Sequence, residues 1–421
     1  MADRVLLRPT PLEIASGVVV GGSDTVMTQR CPATALTALT ALEQAMLPAL
    51  QRPPCLVSFS GGMDSSFVLA IAARLARRAG LPAPIPVTWR FTDAPRAEES
   101  AWQERVIAAL PIGDWSLLHA GDDLDLIGPV AARLLGRYGV LHPVNVHLHL
   151  PIVEMAAGGS LLTGLGGDQI FAGWRRISRL TPTAALRARV PSRVAAMVRR
   201  DRRDSLAWLR PDASRQVLLG HDREVRAEPR RLDRRIRWHA GRRDLLMTRS
   251  SLDALAVDND VRLVNPLLEP AFLSILAVRA RDEWARGDLA RGAWAGGRWA
   301  RGQPARGRWV RGQPVPTRSD LLVAIAGSEL PTVATAARPK ARFLEVFLRT
   351  PTRDFVQSWD GTGVDPDLVD ADALAELWSQ WPIPGGTAGL VQKLWLSRRT
   401  RPDKYAVQEV TPCLINQSRT R

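Results

Sequence analysis

The chain has 421 residues, of which 46% are hydrophobic, and it carries a formal net charge of +15 at pH 7. This length and apolar content predict two or three domains with buried cores and exclude a wholly disordered protein. No apolar run approaches the roughly 18 residues of a membrane-spanning helix, and the N-terminus lacks the apolar stretch of a signal peptide. Cysteines 31, 55 and 413 are too widely spaced for a disulfide framework or a cysteine-based zinc site. We therefore expect a soluble, cytoplasmic protein with no membrane partner.

The excess of positive charge is concentrated in two segments, 175–244 and 285–314. A polyanionic partner would explain it, but solvated basic helix faces explain it equally, and we favour the second interpretation. The region 285–316 is an imperfect Arg-Gly, Trp and Gln-Pro repeat, whose glycines and prolines predict a flexible insertion. Arginine with interleaved tryptophan can bind nucleic acid. An expanded surface loop is the simpler interpretation, so nucleic acid is not an expected partner.

The order of the predicted elements indicates an α/β fold. Residues 1–52 form an extended lead and a helix over about 33–50. Apolar runs bounded by turn residues then predict strands, and runs with helical periodicity alternate with them; the strands are 55–59, 86–91, 116–119 and 160–163, and the helices 65–79, 97–110 and 126–137. This alternation predicts a doubly wound parallel sheet over 53–180. Helical periodicity dominates 181–421, which we interpret as an appended, mostly helical region.

A polar, glycine-rich loop, Ser60-Gly61-Gly62-Met63-Asp64-Ser65, joins the first of these strands to its helix. Free N–H groups and the helix dipole favour a phosphate there, the two glycines allow close approach of the backbone, and the serine hydroxyls add donors. The aspartate fits a ligand of Mg²⁺, which commonly shares phosphate oxygens. The loop lacks the Gly-Lys-Ser/Thr of kinase-type nucleotide loops. The nucleotide-binding candidates here are Phe59, Ser60, Gly61, Gly62, Asp64 and Ser65.

This strand–loop–helix pattern resembles the ATP pyrophosphatase family, whose members cleave ATP between the α and β phosphates, adenylate a substrate and release pyrophosphate. The resemblance implies ATP and Mg²⁺ as cofactors. GMP synthetase, tRNA-lysidine and tRNA-thiolation enzymes and the asparagine synthetase group all share the loop. The rest of the chain has to distinguish among these branches.

The segment Thr163–Trp174 makes that distinction. It resembles the second signature of the synthase domain of asparagine synthetase, a strand end that opens into a glycine-rich loop facing the nucleotide. The resemblance implies that Thr163 and Gly164 contact the adenylate. It also implies that Asp168 supplies, with Asp64, the second carboxylate of a Mg²⁺–pyrophosphate site.

Two later segments extend the resemblance. Arg262–Glu269 is similar to a helical-domain segment of the family in which Glu269 holds the acidic position, although an ordinary buried helix–turn would look the same. Arg338–Phe343 is similar to the segment that carries the family's active-site lysine, which implies that Lys340 is catalytic. Such a lysine would stabilise charge on the α-phosphate. Lysine is rare in this arginine-rich chain, and this favours a functional role for Lys340 over a surface one.

The chain also departs from the family pattern. Residue 2 is alanine and only about 50 residues precede the first loop, so we do not expect the glutaminase domain of asparagine synthetases. Leu165 stands where the family usually has a glutamate, and Gln169 where it commonly has a second acid. Asparagine biosynthesis is therefore in doubt. The resemblance is closest to synthase-only members such as β-lactam synthetase and the lasso-peptide macrolactam cyclases, in which an amine of the same molecule attacks.

No general base is evident. His142, His147 and His149 are candidates because histidine titrates near neutral pH. A metal site is a second reading of this trio, but the alternation of His147 and His149 along an expected extended segment favours a structural role. Tyr138 could serve only if it lies in the cleft.

The sequence therefore predicts an ATP-dependent carbon–nitrogen ligase that forms an acyl-adenylate and then an amide. Its substrate would be a small amino acid or a peptide with a carboxylate and an amine, and a precursor peptide and a leader-binding protein are further expected partners. Two alternatives stay open. One is a tRNA-modifying adenylating enzyme, suggested by the basic segments, and the other is a degenerate family member that acts as a binding protein.

Overall fold

The computed structural model describes residues 6–22, 36–171, 206–229, 231–285, 309–310, 313–314, 318–336, 341–400 and 417–420. Lys340 and most of the insertion predicted at 285–316 lie outside these residues. Within the described part of the chain, no helix combines the length and the apolar character needed to cross a bilayer.

A mixed sheet forms the centre of the described structure. The strands are Cys55–Ser58 (β1), Ile85–Phe91 (β2), Trp115–Ala120 (β3), Ser160–Leu162 (β4), Arg262–Val264 (β5), Trp309–Val310 (β6), Gln313–Pro314 (β7) and Gln417–Thr420 (β8). Six of them form one sheet in the order β5-β4-β1-β2-β3-β8, and β6 pairs with β7 separately. Strands β1 to β5 are parallel, whereas β8 runs antiparallel to β3 at the edge. Because β4 is buried along its length and β1 over its first three residues, both faces of the sheet centre are covered, as parallel sheets require.

Helices connect the parallel strands and cover them. They are Pro11–Ser16 (α1), Ala38–Leu50 (α2), Met63–Ala79 (α3), Ser100–Ala108 (α4), Pro129–Tyr138 (α5), Leu150–Met155 (α6), Gly167–Ile170 (α7), Pro211–Ala227 (α8), Leu232–Ala240 (α9), Arg243–Asp258 (α10), Pro270–Ala285 (α11), Arg318–Ala326 (α12), Thr332–Thr335 (α13), Leu344–Phe347 (α14), Thr350–Gln357 (α15), Ala371–Trp378 (α16) and Ala388–Thr400 (α17). Alternation of β1 to β4 with α3, α4 and α5–α6 gives the doubly wound arrangement, and the α/β prediction is confirmed.

Helix α3 shows how the sequence produces this packing. Phe67, Val68 and Ile71 recur at helical spacing and are fully buried, and each such side chain contributes about 1.5–3 kcal/mol when it leaves water. Gly80 ends the helix in the left-handed conformation, with φ +65°. The helix is therefore held on the sheet by its apolar face, which fixes the position of its N-terminus.

Two local expectations were wrong. Residues 262–264 form a parallel strand beside β4, with Leu161 opposite Leu263, instead of a helix–turn. Three residues carry too little periodicity to reveal a strand, and its pairing partner lies about 100 residues away. His147 and His149 lie in a 3₁₀ helix, Val146–His149, instead of an extended segment.

The predicted division at residue 180 stays a prediction. The described residues on its two sides share one core: Leu42 of α2 and Phe67 of α3 lie in the same buried cluster as Phe272 of α11 and Leu321 of α12. The sheet itself also includes β5 from beyond the division.

Candidate active site

Two loops open side by side at one edge of the sheet. Strands β1 and β4 are parallel neighbours, with Val57 opposite Leu162, so the residues that follow them emerge at the same edge. Ligands of open α/β sheets bind at such carboxyl ends. The two loops are 59–65 and 163–168, the pair that the sequence singled out.

The first loop is held in shape by its own serines. Ser65 Oγ donates to the Gly62 carbonyl at 3.0 Å and lies 3.2 Å from Ser60 Oγ, which accepts from the Gly62 N–H at 3.2 Å. Gly62 caps α3 without a side-chain hydrogen bond, and Gly61 adopts φ +74°. A side chain at Gly61 would be strained, and its Cβ would lie 2.7 Å from Gln103 Cγ. A compact turn lined with hydroxyl groups therefore precedes the N-terminus of the long helix α3. This arrangement suits the binding of an anion.

Helix α4 fixes the outer side of this loop. Trp102 Nε1 donates to the Gly61 carbonyl at 3.0 Å, and Gln103 Nε2 donates to the Ser60 carbonyl at 3.1 Å. These bonds orient the carbonyl groups of Ser60 and Gly61 toward α4. Sequence reasoning did not identify either residue, because only the fold brings α4 against the loop.

The second loop is fixed by the strand beyond it. The Thr163 N–H donates to the Val264 carbonyl at 3.2 Å, and Thr163 Oγ1 donates to Asn265 Oδ1 at 2.5 Å. The same hydroxyl accepts from the Leu165 N–H at 3.1 Å. Thr163 is buried. Its hydroxyl therefore shapes the loop in this structure, and its predicted contact with the adenylate stays a prediction.

Glycines allow the two loops to touch. A Cβ on Gly164 would lie 2.9 Å from the Ser65 backbone nitrogen, and one on Gly167 would lie 2.1 Å from Asp64 Cγ. Real Cβ atoms do not approach other atoms this closely, so only glycine fits at either position without a shift. Gly164 thereby contributes to the site through its backbone, and Gly167 leaves room for the carboxylate of Asp64.

The two predicted metal ligands converge on one positive charge. Arg318, the first residue of α12, forms a salt bridge with Asp64, and its Nη1 lies 2.7 Å from Asp168 Oδ1. The guanidinium lies 5.7 Å from the centre of the Phe171 ring. The structure therefore brings Asp64 and Asp168 together, with Arg318 between them, and their role as metal ligands stays a prediction.

The ion pair is buried on the side of Asp64 and exposed on the side of Asp168. The side chains of Arg318 and Asp64 are only 8% and 14% exposed, whereas that of Asp168 is 58% exposed. Burial alone would lower the pKa of Arg318, but the charges and hydrogen bonds of Asp64 and Asp168 outweigh it and raise the pKa above its usual range. The guanidinium is thus permanently charged. No motif in the sequence marks Arg318, which follows the predicted insertion.

The carboxylate pair also fits the proposed metal. Among the described residues no group of three or more His, Cys, Asp or Glu side chains could hold a metal ion by itself. Mg²⁺ at nucleotide sites is bound by one or two carboxylates, and phosphates and water supply its other ligands. Asp64 and Asp168 match that donor set.

Two other predicted site residues need separate comment. The Phe59 side chain is 1% exposed and lies in the core, while its carbonyl accepts from Thr88 Oγ1 at 2.9 Å. Its ring therefore supports the loop from behind and does not face a ligand. Lys340 lies outside the described residues, and its catalytic role stays a prediction.

Three of the candidate bases, His147, His149 and Tyr138, have surroundings that suit a structural role. His147 is buried, and its Nε2 lies 3.0 Å from the Leu124 carbonyl. Burial lowers the pKa of His147, and burial with the neighbouring imidazole lowers the pKa of His149 to about 4. Tyr138 Oη donates to Asp258 at the end of α10. The burial of His147 and its contact with the Leu124 carbonyl support the structural interpretation of this histidine. Among the described residues no group of side chains that could hold a metal ion contains the histidines.

The departure at Leu165 has a structural consequence. Leu165 is partly buried and packs against apolar residues of both large core clusters. Its side chain is thus part of an apolar contact, at a position where the family usually has a carboxylate. Glu269, by contrast, retains its acid, and burial raises its pKa although Arg249 lowers it.

Comparison with known proteins agrees with this geometry. The family model of asparagine synthase matches residues 39–284, a span that contains both loops and more than half of the chain. No curated protein in the comparison matches the chain. The chain belongs to the asparagine synthase family, whose members are ATP-dependent amide-forming synthetases.

Proposed function

We propose that this protein activates a substrate carboxylate as an acyl-adenylate and then joins it to an amine. The observation that carries the proposal is the convergence of Asp64 and Asp168 on one cation position, between two loops that suit a polyphosphate. An isolated glycine-rich loop would indicate only an anion site. Two loops that meet at paired carboxylates indicate a site for a metal–polyphosphate.

The reaction has two steps. A carboxylate oxygen of the substrate attacks the α-phosphorus of ATP, the bond between the α-phosphorus and its bridging oxygen breaks, and pyrophosphate leaves. The amine nitrogen then attacks the acyl carbon, the bond to AMP breaks, and the nitrogen loses a proton. Lys340 is proposed to stabilise charge on the α-phosphate in both steps.

The described residues supply binding and charge. The N-terminus of α3 and the hydroxyls of Ser60 and Ser65 bind phosphate oxygens. Asp64 and Asp168 would hold Mg²⁺, which offsets the charge of the polyphosphate when it is bound. Arg318 places one positive charge beside the two carboxylates, and any cation that binds them competes with its guanidinium.

The substrate is proposed to be a small amino acid or a peptide that carries both the carboxylate and the amine. Leu165 supports this choice, because an apolar side chain at that position offers no charge to hold free ammonia. Formation of a macrolactam from a precursor peptide, delivered by a leader-binding protein, is the form of this reaction that fits an intramolecular amine.

The alternatives have less support. Both loops of the proposed site lie inside the family match, and this favours amide formation over tRNA modification. A degenerate binding protein has no need to keep two carboxylates beside a buried arginine.

Exchange of radioactive pyrophosphate into ATP tests the proposal. The full chain is incubated with Mg²⁺, ATP and pools of amino acids or peptides, and exchange stimulated by one pool is the expected result. Asp64→Asn should reduce this exchange by a factor on the order of 100, because removal of a catalytic charge typically costs several kcal/mol.

Glu376→Asn is a matched control, since it also removes one carboxylate, but at an exposed position of α16. It should retain exchange. If no carboxylate substrate stimulates exchange while tRNA does, the tRNA alternative replaces the proposal. Exchange that survives Asp64→Asn would remove the assigned role of this carboxylate.

A further inference from the structure

A second concave site lies outside the nucleotide edge. It is an open cleft of about 640 Å³ between the segment that follows α1 and the helices α8 and α9. Its lining combines the backbone of Gly21 and Gly22, apolar side chains such as Val20 and Pro229, and several arginines. We call it the α8–α9 cleft.

Hydrogen bonds and close packing connect the walls of this cleft. Glu224 of α8 accepts two hydrogen bonds from Arg242, from Nε and Nη2, each at 3.1 Å. Gly21 accepts from the Arg243 N–H at 2.9 Å and donates to Glu224 Oε1 at 3.3 Å. A Cβ on Gly220 would lie 3.0 Å from Val20 Cγ2, so the segment after α1 packs closely on α8. The cleft is therefore a built feature of the fold.

Its charge is unbalanced. Four arginines and one glutamate line it, and Arg242 is the arginine that the glutamate neutralises. The other three, Arg223, Arg234 and Arg237, are exposed and form no salt bridge with any described residue. Three unpaired guanidinium groups around one cleft create a positive potential that attracts carboxylates or phosphates.

We propose that the α8–α9 cleft binds an acidic segment of the peptide substrate. Each unpaired arginine offers a planar pair of donors that matches a carboxylate. The glycine-lined wall lets an extended peptide backbone approach, and the apolar lining accepts small apolar side chains between the acidic ones. This inference rests on the proposed function for the identity of the peptide as the molecule that is activated.

The cleft suits a peptide better than a nucleic acid. Binding of single strands commonly needs aromatic faces on which bases stack. The only aromatic ring among the described lining residues, Trp238, already has the Arg242 guanidinium over it, 5.4 Å from the ring centre, and the His239 ring edge-on at 4.9 Å.

Helix α9 connects the cleft with the active site. Its outer face carries Arg234 and Arg237, whereas Leu232 and Ile236 on its buried face belong to the same cluster as Phe171. Phe171 in turn lies beneath Arg318. A peptide bound on α9 is thus held on the helix that supports the second loop. Such binding would restrict the positions that the carboxylate of the peptide can take relative to the nucleotide.

A binding measurement without ATP tests the inference. Fluorescence anisotropy of a fluorescein-labelled (Glu-Ala)₅ peptide is followed with the full chain at low ionic strength. The triple variant Arg223→Glu, Arg234→Glu, Arg237→Glu should bind about tenfold more weakly or worse, since each exposed charge pair contributes modestly. The control triple Arg226→Glu, Arg262→Glu, Arg353→Glu makes the same charge change at exposed sites outside the cleft and should stay within about threefold of wild type.

Circular dichroism and thermal unfolding show whether the variants fold. If the glutamate triple does not fold, a triple Arg→Gln variant of the same three positions replaces it, with a severalfold loss expected. No binding by wild type, equal losses in the two triples, or tighter binding of a labelled ten-nucleotide RNA would each overturn the inference. Because ATP is absent, peptide binding without any pyrophosphate exchange would support the cleft and count against the proposed function alone.

Discussion

The nucleotide edge and the α8–α9 cleft use arginine in opposite ways. At the nucleotide edge, Arg318 is buried and shared between two carboxylates. In the cleft, Arg223, Arg234 and Arg237 are exposed and have no acidic partner among the described residues. Removal of one member of a buried pair leaves an uncompensated charge, whereas removal of an exposed charge leaves almost nothing to compensate. Mutation of Arg318 should therefore change stability and chemistry, and mutation of the three exposed cleft arginines should change only binding.

The largest effect is expected at the contact between the two loops. Gly167→Ala would place a Cβ 2.1 Å from Asp64 Cγ, so the carboxylate has to leave its position beside Arg318. A displacement of about 1 Å in a catalytic group can cost on the order of 100-fold in rate. We expect a loss of this size in pyrophosphate exchange.

Gly136→Ala is the control for this change. Gly136 lies inside α5, and a Cβ there meets no atom within 4 Å. Alanine should leave exchange intact and stabilise the helix by up to about 1 kcal/mol. Equal activity of the two variants would show that the loops do not depend on their close approach.

The general architecture follows from local sequence signals. Long apolar runs and helical periods predicted β1 to β4, and α3 begins and ends within two residues of its predicted limits. β5 and β8 are three and four residues long and pair with residues far away in the chain. Such strands exist because a neighbouring strand offers hydrogen bonds, and local sequence holds little information about that.

The same contrast applies to the site. Ser60, Asp64 and Asp168 could be predicted because each belongs to a contiguous loop with a recognisable pattern. Trp102 and Arg318 belong to no such pattern, and only the packing of α4 and α12 around the loops reveals them. The candidate ligands are therefore predictable from sequence, while the residues that fix them or pair with them are seen only in the fold.

The next largest effect is expected for Arg318→Met. It leaves Asp64 facing Asp168 without a counter-charge, and the free energy of unfolding should fall by about 2 kcal/mol, less than for a fully buried pair because Asp168 is largely exposed. Urea unfolding measures the loss. Mn²⁺ without nucleotide should then raise the unfolding temperature of the variant more than that of wild type, since the carboxylates no longer hold an internal cation.

Arg353→Met is the control, because Arg353 is exposed on α15 and forms no salt bridge with a described residue. It should be as stable as wild type and should not gain a response to Mn²⁺. An Arg318→Met protein with wild-type stability and no response to Mn²⁺ would contradict the description of the edge as a charge-paired site.

A smaller effect, on both stability and peptide binding, is expected for Glu224→Gln, which alters the hydrogen bonds between the walls of the cleft. The amide cannot form the two charge-assisted hydrogen bonds to Arg242, so the free energy of unfolding should fall by about 1 kcal/mol. The same change removes the one acidic side chain among the described lining residues and should tighten binding of the (Glu-Ala)₅ peptide by about threefold. Glu376→Gln, on an exposed face of α16, should change neither quantity. Weaker peptide binding in Glu224→Gln would mean that the shape of the cleft matters more than its charge.

The smallest effect is expected for Arg223→Ala, and it distinguishes the α8–α9 cleft from the nucleotide edge most clearly. Arg223→Ala removes an exposed, unpaired charge, so the free energy of unfolding should change by no more than about 0.5 kcal/mol. Peptide binding should still weaken by about two- to threefold, and more salt should reduce the difference from wild type because it screens exposed charges. Arg226→Ala, on the same helix but outside the cleft, is the matched control and should leave both measurements unchanged. A clear loss of stability in Arg223→Ala alone would show that this arginine is structural, and the contrast with Arg318 would then no longer hold.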